Sequence, residues 1–258
     1  MPTLAFTRDI TPALATDCEL THLARTPVDL PRARAEHAAY ESALRGCGCE
    51  VVRIAADPAM ADAVFIEDTA IVLDELAIVT RPGATSRRRE TAAVREALKA
   101  HRSLADIAGE GTLDGGDVLR IGRRLLAGAG PRSNAEGRRQ LSALAAPSGY
   151  AVESIPFTGC LHLKTAVTLV ADDIVLFNPA WVSASALGAV RTIAVDPAEP
   201  FAANAVLVNG SVIHAAEFPR TRERLERAGI SVTSVPAGEL AKAEGGVTCC
   251  SLLVSRQA

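Results

Sequence analysis

The sequence predicts an α/β chain assembled from roughly five repeats of a hairpin followed by a helix, a rhythm that points to a propeller or another repeated array. Three observations carry this. Hydrophobic periodicity switches between strand and helix along the chain, polar turn pairs separate short apolar runs, and the spacing of the units is about 50 residues. The 258 residues are 48% hydrophobic and only 3% aromatic, so the core must be packed from Ala, Val, Leu and Ile. No Ser/Gly-rich linker or shift in composition divides the chain, and a single domain over residues 1–258 is expected.

In chain order, Leu4 to Thr7 reads as a strand, Pro31 to Leu44 as a helix with proline in its first turn, and Cys49 to Ile54 as a strand. Ala70 to Leu73 and Leu76 to Thr80 flank an acidic two-residue turn, and Ser86 can cap a helix running to about Ala100. Val118 to Ile121 and Leu125 to Gly128 form a second hairpin across Arg123-Arg124, with a helix beginning after Ser133. Leu163 to Val170 and Ile174 to Phe177 form a third around Asp172-Asp173. Ala205 to Val208 and Ser211 to His214 form a fourth across Asn209-Gly210, whose residues tolerate positive φ. A helix from Thr221 to Ala228 and a strand at Val232 follow.

A formal charge of −3 gives no basic field for nucleic acid, and Arg87-Arg88-Arg89 is too short to make one; a cationic small substrate fits better. No stretch approaches the roughly 18 apolar residues needed to span a bilayer, and no export segment opens the chain. A cytoplasmic protein is expected, with its six cysteines as thiols rather than a disulfide framework. Cys47 and Cys49 have no second Cys/His pair at a metal-finger spacing and read as small buried thiols.

Chemistry concentrates in a few segments. Cys249 follows Gly245-Gly246 and precedes the apolar run Leu252-Leu253-Val254, which places its thiol at the mouth of a strand. Strand alternation would turn one of Cys249 and Cys250 to a pocket and the other inward. His162 lies in Leu161-His162-Leu163-Lys164 at the start of a strand. Asp114 and Asp117 surround paired glycines, and Glu67-Asp68 forms another acidic pair that needs a cation if buried. Taken one at a time, each has an ordinary structural explanation. Together, a thiol, an imidazole and a carboxylate are the parts needed for nucleophilic catalysis by sulfur.

Leu113-Asp114-Gly115-Gly116-Asp117-Val118-Leu119, Leu161-His162-Leu163-Lys164 and Thr248-Cys249-Cys250-Ser251 resemble the three signatures of the dimethylarginine dimethylaminohydrolases. These are members of the guanidino-group-modifying superfamily that includes arginine deiminase. The likeness continues in Phe65-Ile66-Glu67-Asp68-Thr69-Ala70, in Thr80-Arg81-Pro82-Gly83-Ala84 with Ser86-Arg87-Arg88, and in Ala202-Ala203-Asn204, and it runs from about Ala33 to Val254.

The resemblance implies a pentein, a single propeller of five ββαβ units around a central channel that holds the active site. It implies hydrolysis of Nω-methylated arginines, asymmetric dimethylarginine and monomethylarginine, to citrulline and di- or monomethylamine through a thiouronium on Cys249. His162 would be general acid and then base, and Asp114 would orient it. Asp114 and Asp68 would hold the guanidinium, Asp62 the α-amino group, and Arg87 and Arg132 the α-carboxylate. Glu67, Glu244 and Leu20 complete the substrate-binding set implied, with Cys18 to Val28 falling where the family has a mobile lid. Two positions depart from the family pattern: some bacterial relatives have Glu where this chain has Asp114, and Asp is expected where it has Glu244.

No cofactor is expected, nor a metal, which would compete for Cys249 and His162. Two alternatives stay open: an arginine deiminase-type hydrolase releasing ammonia, and a non-catalytic amino-acid-binding module on the same scaffold. Against the first, deiminases usually carry an inserted helical domain for which this chain has no room. Against the second, a binding module has no need of the sulfur.

Overall fold

A computed structural model describes residues 3–255. Its strands are β1 (Leu4–Arg8), β2 (Glu50–Ile54), β3 (Ala70–Val72), β4 (Leu76–Val79), β5 (Ser103–Asp106), β6 (Val118–Ile121), β7 (Arg124–Gly128), β8 (Ala151–Ile155), β9 (Val167–Ala171), β10 (Ile174–Phe177), β11 (Arg191–Ala194), β12 (Ala205–Val208), β13 (Ser211–Ala215), β14 (Val232–Val235) and β15 (Leu252–Val254). The α-helices are α1 (Leu14–Asp17), α2 (Leu30–Gly46), α3 (Thr91–Leu98), α4 (Ala135–Ala145), α5 (Leu163–Ala166), α6 (Pro219–Arg227) and α7 (Gly238–Ala241).

The strands form five three-stranded sheets, in the orders β15-β1-β2, β3-β4-β5, β6-β7-β8, β9-β10-β11 and β12-β13-β14. In each, the first pair is antiparallel and the second parallel. A tight turn suffices for the antiparallel pair, whereas the parallel pair requires a crossover. α2, α3, α4 and α6 supply four of these crossovers, and the fourth sheet uses a 3₁₀ turn at Ala184–Leu187 instead. The first sheet takes its leading strand, β15, from the far end of the chain, so both ends of the described chain are tied into one sheet.

The leading strands β15, β3, β6, β9 and β12 together line a central cavity of about 430 Å³. This is the five-unit α/β propeller that the family resemblance implies, and one of the two arrays that the unit rhythm left open. The hairpin strands fall within about a residue of expectation except β9, which begins at Val167 and not at Leu163, and Asn209 (φ 49°) and Gly210 (φ 79°) make the left-handed turn that joins β12 to β13. Strands β5, β8 and β11 escaped the sequence reading, unlike the equally outer β2, whose Val51, Val52 and Ile54 make a β-branched run. β5 and β11 bury none of their residues and β8 only Ile155, so no clean hydrophobic alternation marks them.

α2 shows how the crossovers seat. Asp29 caps it by accepting the amide N–H of Arg32 at 3.0 Å, and proline occupies its first turn. It buries Ala33, Glu36, His37, Tyr40, Glu41 and Leu44, a stripe at helical spacing. The expected helix from Ser86 instead begins as a 3₁₀ turn, Thr85–Glu90, before α3, because Ser86 donates its hydroxyl to Glu19 rather than capping. α4 begins after Ser133 as expected, capped by Asn134, which accepts the amide N–H of Gly137 at 2.8 Å.

Candidate active site

The turns that precede the five leading strands converge, and they carry most of the polar residues singled out by sequence. Glu67 and Asp68 lie in the 3₁₀ turn before β3, Asp114 and Asp117 at the turn before β6, His162 before β9, Asn204 before β12, and Cys249 in the 3₁₀ turn Thr248–Cys250 before β15. The propeller repeat thus brings residues scattered along the sequence to one end of the central axis.

Cys249, His162, Asp68, Asp62, Arg87, Arg132 and Glu244 line one cavity of about 20 Å³. His162 and Asp114 are buried, and the His162 Nε2 lies 3.0 Å from Asp114 Oδ2. Asp114 Oδ1 accepts the Gly83 amide N–H at 2.8 Å, which fixes the carboxylate plane. Asp68 stands on the other edge of the ring, its Oδ1 3.8 Å from His162 Nδ1 and bound by the Gly116 amide N–H at 3.0 Å. A side chain at position 116 would come within 2.8 Å of both Asp68 Oδ1 and His162 Nδ1, so glycine is required there for this close approach.

Two expectations about local structure need correction. His162 does not enter a strand directly: one helical turn, α5, separates it from β9, because Asp117 binds the Leu163 amide and Thr165 N–H bonds back to the His162 carbonyl. Cys249 and Cys250 do not alternate as strand neighbours. Both sit in a 3₁₀ turn and both pack on the same apolar cluster, although only Cys249 lines the cavity.

The electrostatics oppose one another. Burial lowers the His162 pKa, but Asp68, Asp114 and Asp117 more than offset it and bring the imidazole up to about 9. Burial, followed by the negative charges of Glu67 and Asp68, pushes the Cys249 thiol up to about 12, against an amide hydrogen bond from Gly246 at 3.4 Å. Asp62 is raised by burial to about 6, with Arg87 acting against the shift. Asp68 is pushed up by burial but held at about 2 by His162 and Arg87.

Arg87 is buried and spends its donors inside the protein. It binds Asp68 at 2.5 Å, Glu90 at 2.9 Å and the Phe65 carbonyl at 2.8 Å. Arg132 has a lighter attachment, donating to the Thr21 hydroxyl at 3.1 Å. Glu244 Oε1 accepts the amide N–H groups of Thr21, His22 and Leu23 at 3.0, 2.5 and 2.6 Å, and Asp62 accepts that of Glu19 at 3.1 Å. The Cys18 to Val28 segment is therefore pinned over the cavity by carboxylates from two sides.

Two expected residues lie elsewhere. Glu67 faces the central cavity behind the site, where Lys164 donates to it at 2.7 Å and the Thr248 hydroxyl at 2.8 Å. Consecutive residues of a 3₁₀ turn point in different directions, so Asp68 takes the front and Glu67 the back. Leu20 is half-buried against the apolar cluster, and Glu19 forms the cavity wall at that point. Sequence reasoning gave no role to Ser133, Glu90 and Thr248. Among the described residues, Asp68, Asp114 and His162 offer atoms within 4.8 Å of one another, a spacing a metal could share. Their carboxylate oxygens are already engaged by Arg87, His162 and backbone amides, an arrangement suited to proton transfer.

No protein-family model matches the chain. The N(G),N(G)-dimethylarginine dimethylaminohydrolase of Streptomyces coelicolor is 40% identical over 237 residues, covering 90% of this chain and 90% of its own length. That of Pseudomonas aeruginosa is 34% identical over 226 residues, covering 87% and 89%. The chain belongs to the dimethylarginine dimethylaminohydrolase family.

Solved structures of the family agree. The Pseudomonas aeruginosa enzyme as a cysteine-to-serine mutant complexed with citrulline superposes with a TM-score of 0.93 at 32% identity, over 98% of this chain and 99% of that one. A histidine-to-glycine mutant of a dimethylarginine dimethylaminohydrolase, as an adduct with S-methyl-L-thiocitrulline, superposes at 0.92, over 98% of this chain and all of that one. The N-terminal domain of a cyanobacterial arginine dihydrolase, 21% identical with a TM-score of 0.87, shares the fold.

Proposed function

We propose that this chain hydrolyses Nω-methylated arginines, asymmetric dimethylarginine and monomethylarginine, to citrulline and the corresponding amine, with Cys249 as nucleophile. The observation that supports it best is the buried His162–Asp114 pair at 3.0 Å beside a cavity lined by Cys249 and His162. Around this cavity Glu19, Asp62, Asp68, Glu90, Asp114, Asp117 and Glu244 outnumber the cations Arg87, Arg132 and His162. A guanidinium reduces that excess of negative charge, and its in-plane N–H donors suit carboxylate acceptors.

The cation also solves the problem of the thiol. In the free protein burial and two carboxylates keep Cys249 protonated, whereas a guanidinium against the sulfur favours the thiolate, whose proton passes to solvent. The sulfur then attacks the guanidinium carbon to form a tetrahedral adduct. His162, protonated at neutral pH, donates its proton to the departing nitrogen as the C–N bond breaks, leaving a thiouronium on Cys249. The neutral imidazole next takes a proton from water and the hydroxide adds to the same carbon; the C–S bond then breaks as the urea carbonyl forms and its hydroxyl proton passes to solvent, releasing citrulline and the thiolate.

Arg132, the less committed arginine, is the stronger candidate for the substrate carboxylate, and Asp62 for its ammonium. Both groups also hold the 19–21 segment, so the substrate reaches them only when that segment yields. The residues 1–258 act as one domain in this reading, since β15 and β1 tie the two ends into one sheet. Its free cysteines suit a reducing compartment such as the cytoplasm. No helix of the described residues is long and apolar enough to cross a membrane.

The test is citrulline formation from asymmetric dimethylarginine, monomethylarginine and arginine, with mass spectrometry of quenched reactions. Turnover of the methylated substrates alone, with the adduct on Cys249 and none in Cys249→Ser, supports the reading. An adduct on Cys250, or turnover of arginine alone, overturns it.

A further inference from the structure

We infer that Asp117, together with Ser133, is a positioning element that sets the geometry of the His162–Asp114 pair. This rests on the acid–base reading of His162 and adds a positional role for Asp117, so far only a source of charge, and for Ser133. The Asp117 side chain is fully buried. Its Oδ1 accepts the amide N–H of Leu163, next to His162, at 3.0 Å, and its Oδ2 accepts the Ser133 hydroxyl at 2.6 Å. The same Ser133 oxygen accepts the amide N–H of Asp114 at 3.1 Å. The backbones on both sides of the catalytic contact therefore hang from one carboxylate–hydroxyl pair.

Three chain segments meet there: the turn before β6, the loop between β7 and α4, and the turn before β9. A buried charge-assisted hydrogen bond resists competition from water, and a shift of about 1 Å in a reacting pair can cost roughly 100-fold in rate. Ser133 suits the junction because its hydroxyl donates and accepts at once. Among the described residues, Asp117 has no Lys or Arg hydrogen-bond partner. His162 is faced by Asp68, Asp114 and Asp117, Asp68 is shared with Arg87, and the Cys160 thiol also faces Asp117. Burial pushes Asp117 up to about 6, with His162 acting against the shift, so each group supports the charge of the other. Removing the Asp117 charge lowers the pKa of His162 as well as loosening its backbone.

The experiment compares full-length wild type, Asp117→Asn and Ser133→Ala. The readouts are thermal melting, kcat and KM for asymmetric dimethylarginine, and the His162 titration by NMR of ¹⁵N-histidine-labelled protein, assigned with a His162→Asn sample. In Asp117→Asn, kcat should fall at least about tenfold with KM within roughly threefold, and His162 should titrate about one unit lower. Should that variant not fold, Ser133→Ala, which keeps the carboxylate but removes its hydroxyl donor, moves the same readouts in the same direction. A folded variant in which His162 titrates as in wild type overturns the inference, whatever happens to activity. Because NMR reads the ring without turnover, an absence of citrulline from wild type would sink the function while leaving this inference testable.

Discussion

Arg87 Nη1 lies 2.5 Å from Asp68 Oδ2, with both side chains buried beside the candidate nucleophile, so one arginine of the site is part of its scaffold. Removing one partner of a buried pair leaves an uncompensated charge and costs about 3 to 5 kcal/mol. Arg87→Ala should therefore lower stability by about that amount in urea titration. Arg132→Ala, which breaks one contact to a lid hydroxyl, should melt close to wild type while raising KM. Equal melting of the two variants would contradict the assignment of Arg87 to the scaffold.

Glu244 holds the Thr21, His22 and Leu23 amides with one oxygen. Hydrogen bonds to a charged acceptor contribute about 1.5 to 3 kcal/mol each, less when water can replace them. Glu244→Gln should speed amide hydrogen exchange at these residues by roughly tenfold or more, with exchange in the β-sheets unchanged. Unaltered protection at 21–23 would show that other contacts hold the segment.

The thiol of free Cys249 sits at about 12, raised first by burial and then by Glu67 and Asp68. The ultraviolet thiolate signal, taken as wild type minus Cys249→Ser, should therefore be absent from the free protein at neutral and mildly alkaline pH. A bound cationic arginine analogue should bring it to lower pH. A thiolate already present at pH 7 without ligand would refute substrate-assisted ionisation.

His162 has a folded pKa of about 9, above its ordinary 6.5. A raised value means that its charged form stabilises the fold, a contribution complete below about 6.5 and lost as pH rises through about 9. The stability difference between wild type and His162→Asn in urea should thus be larger at pH 6 than at pH 10. A difference independent of pH would mean that the ring contributes through packing alone.

The hairpins and most crossover helices were legible because they obey local rules. Asn209-Gly210 needs only its own backbone preferences to turn, and α2 declares itself through Asp29, Pro31 and a helical stripe. β5 was hidden because Ser103-Leu104-Ala105-Asp106 has no β-branched or aromatic residue, whereas β2, equally unburied, shows itself through Val51, Val52 and Ile54. Cys249, His162 and Asp114 were legible as motifs, since glycine-flanked Asp, His and Cys are reactive types in recognisable settings. Ser133 was not, because a serine acquires its role only from the Asp117 and Asp114 groups placed against it.

By itself the chain of residues determined the unit rhythm, the reactive groups and their family likeness, all of which depend on neighbours a few positions apart. Tertiary structure alone decided that Asp68 faces the cavity while Glu67 faces the central channel, that Arg87 is occupied by carboxylates, and that Glu244 pins the 21–23 segment. The physical reason is that burial, ion pairing and pKa are set by groups far apart in sequence, such as Thr21 and Glu244, and these distances exist only once the five sheets close.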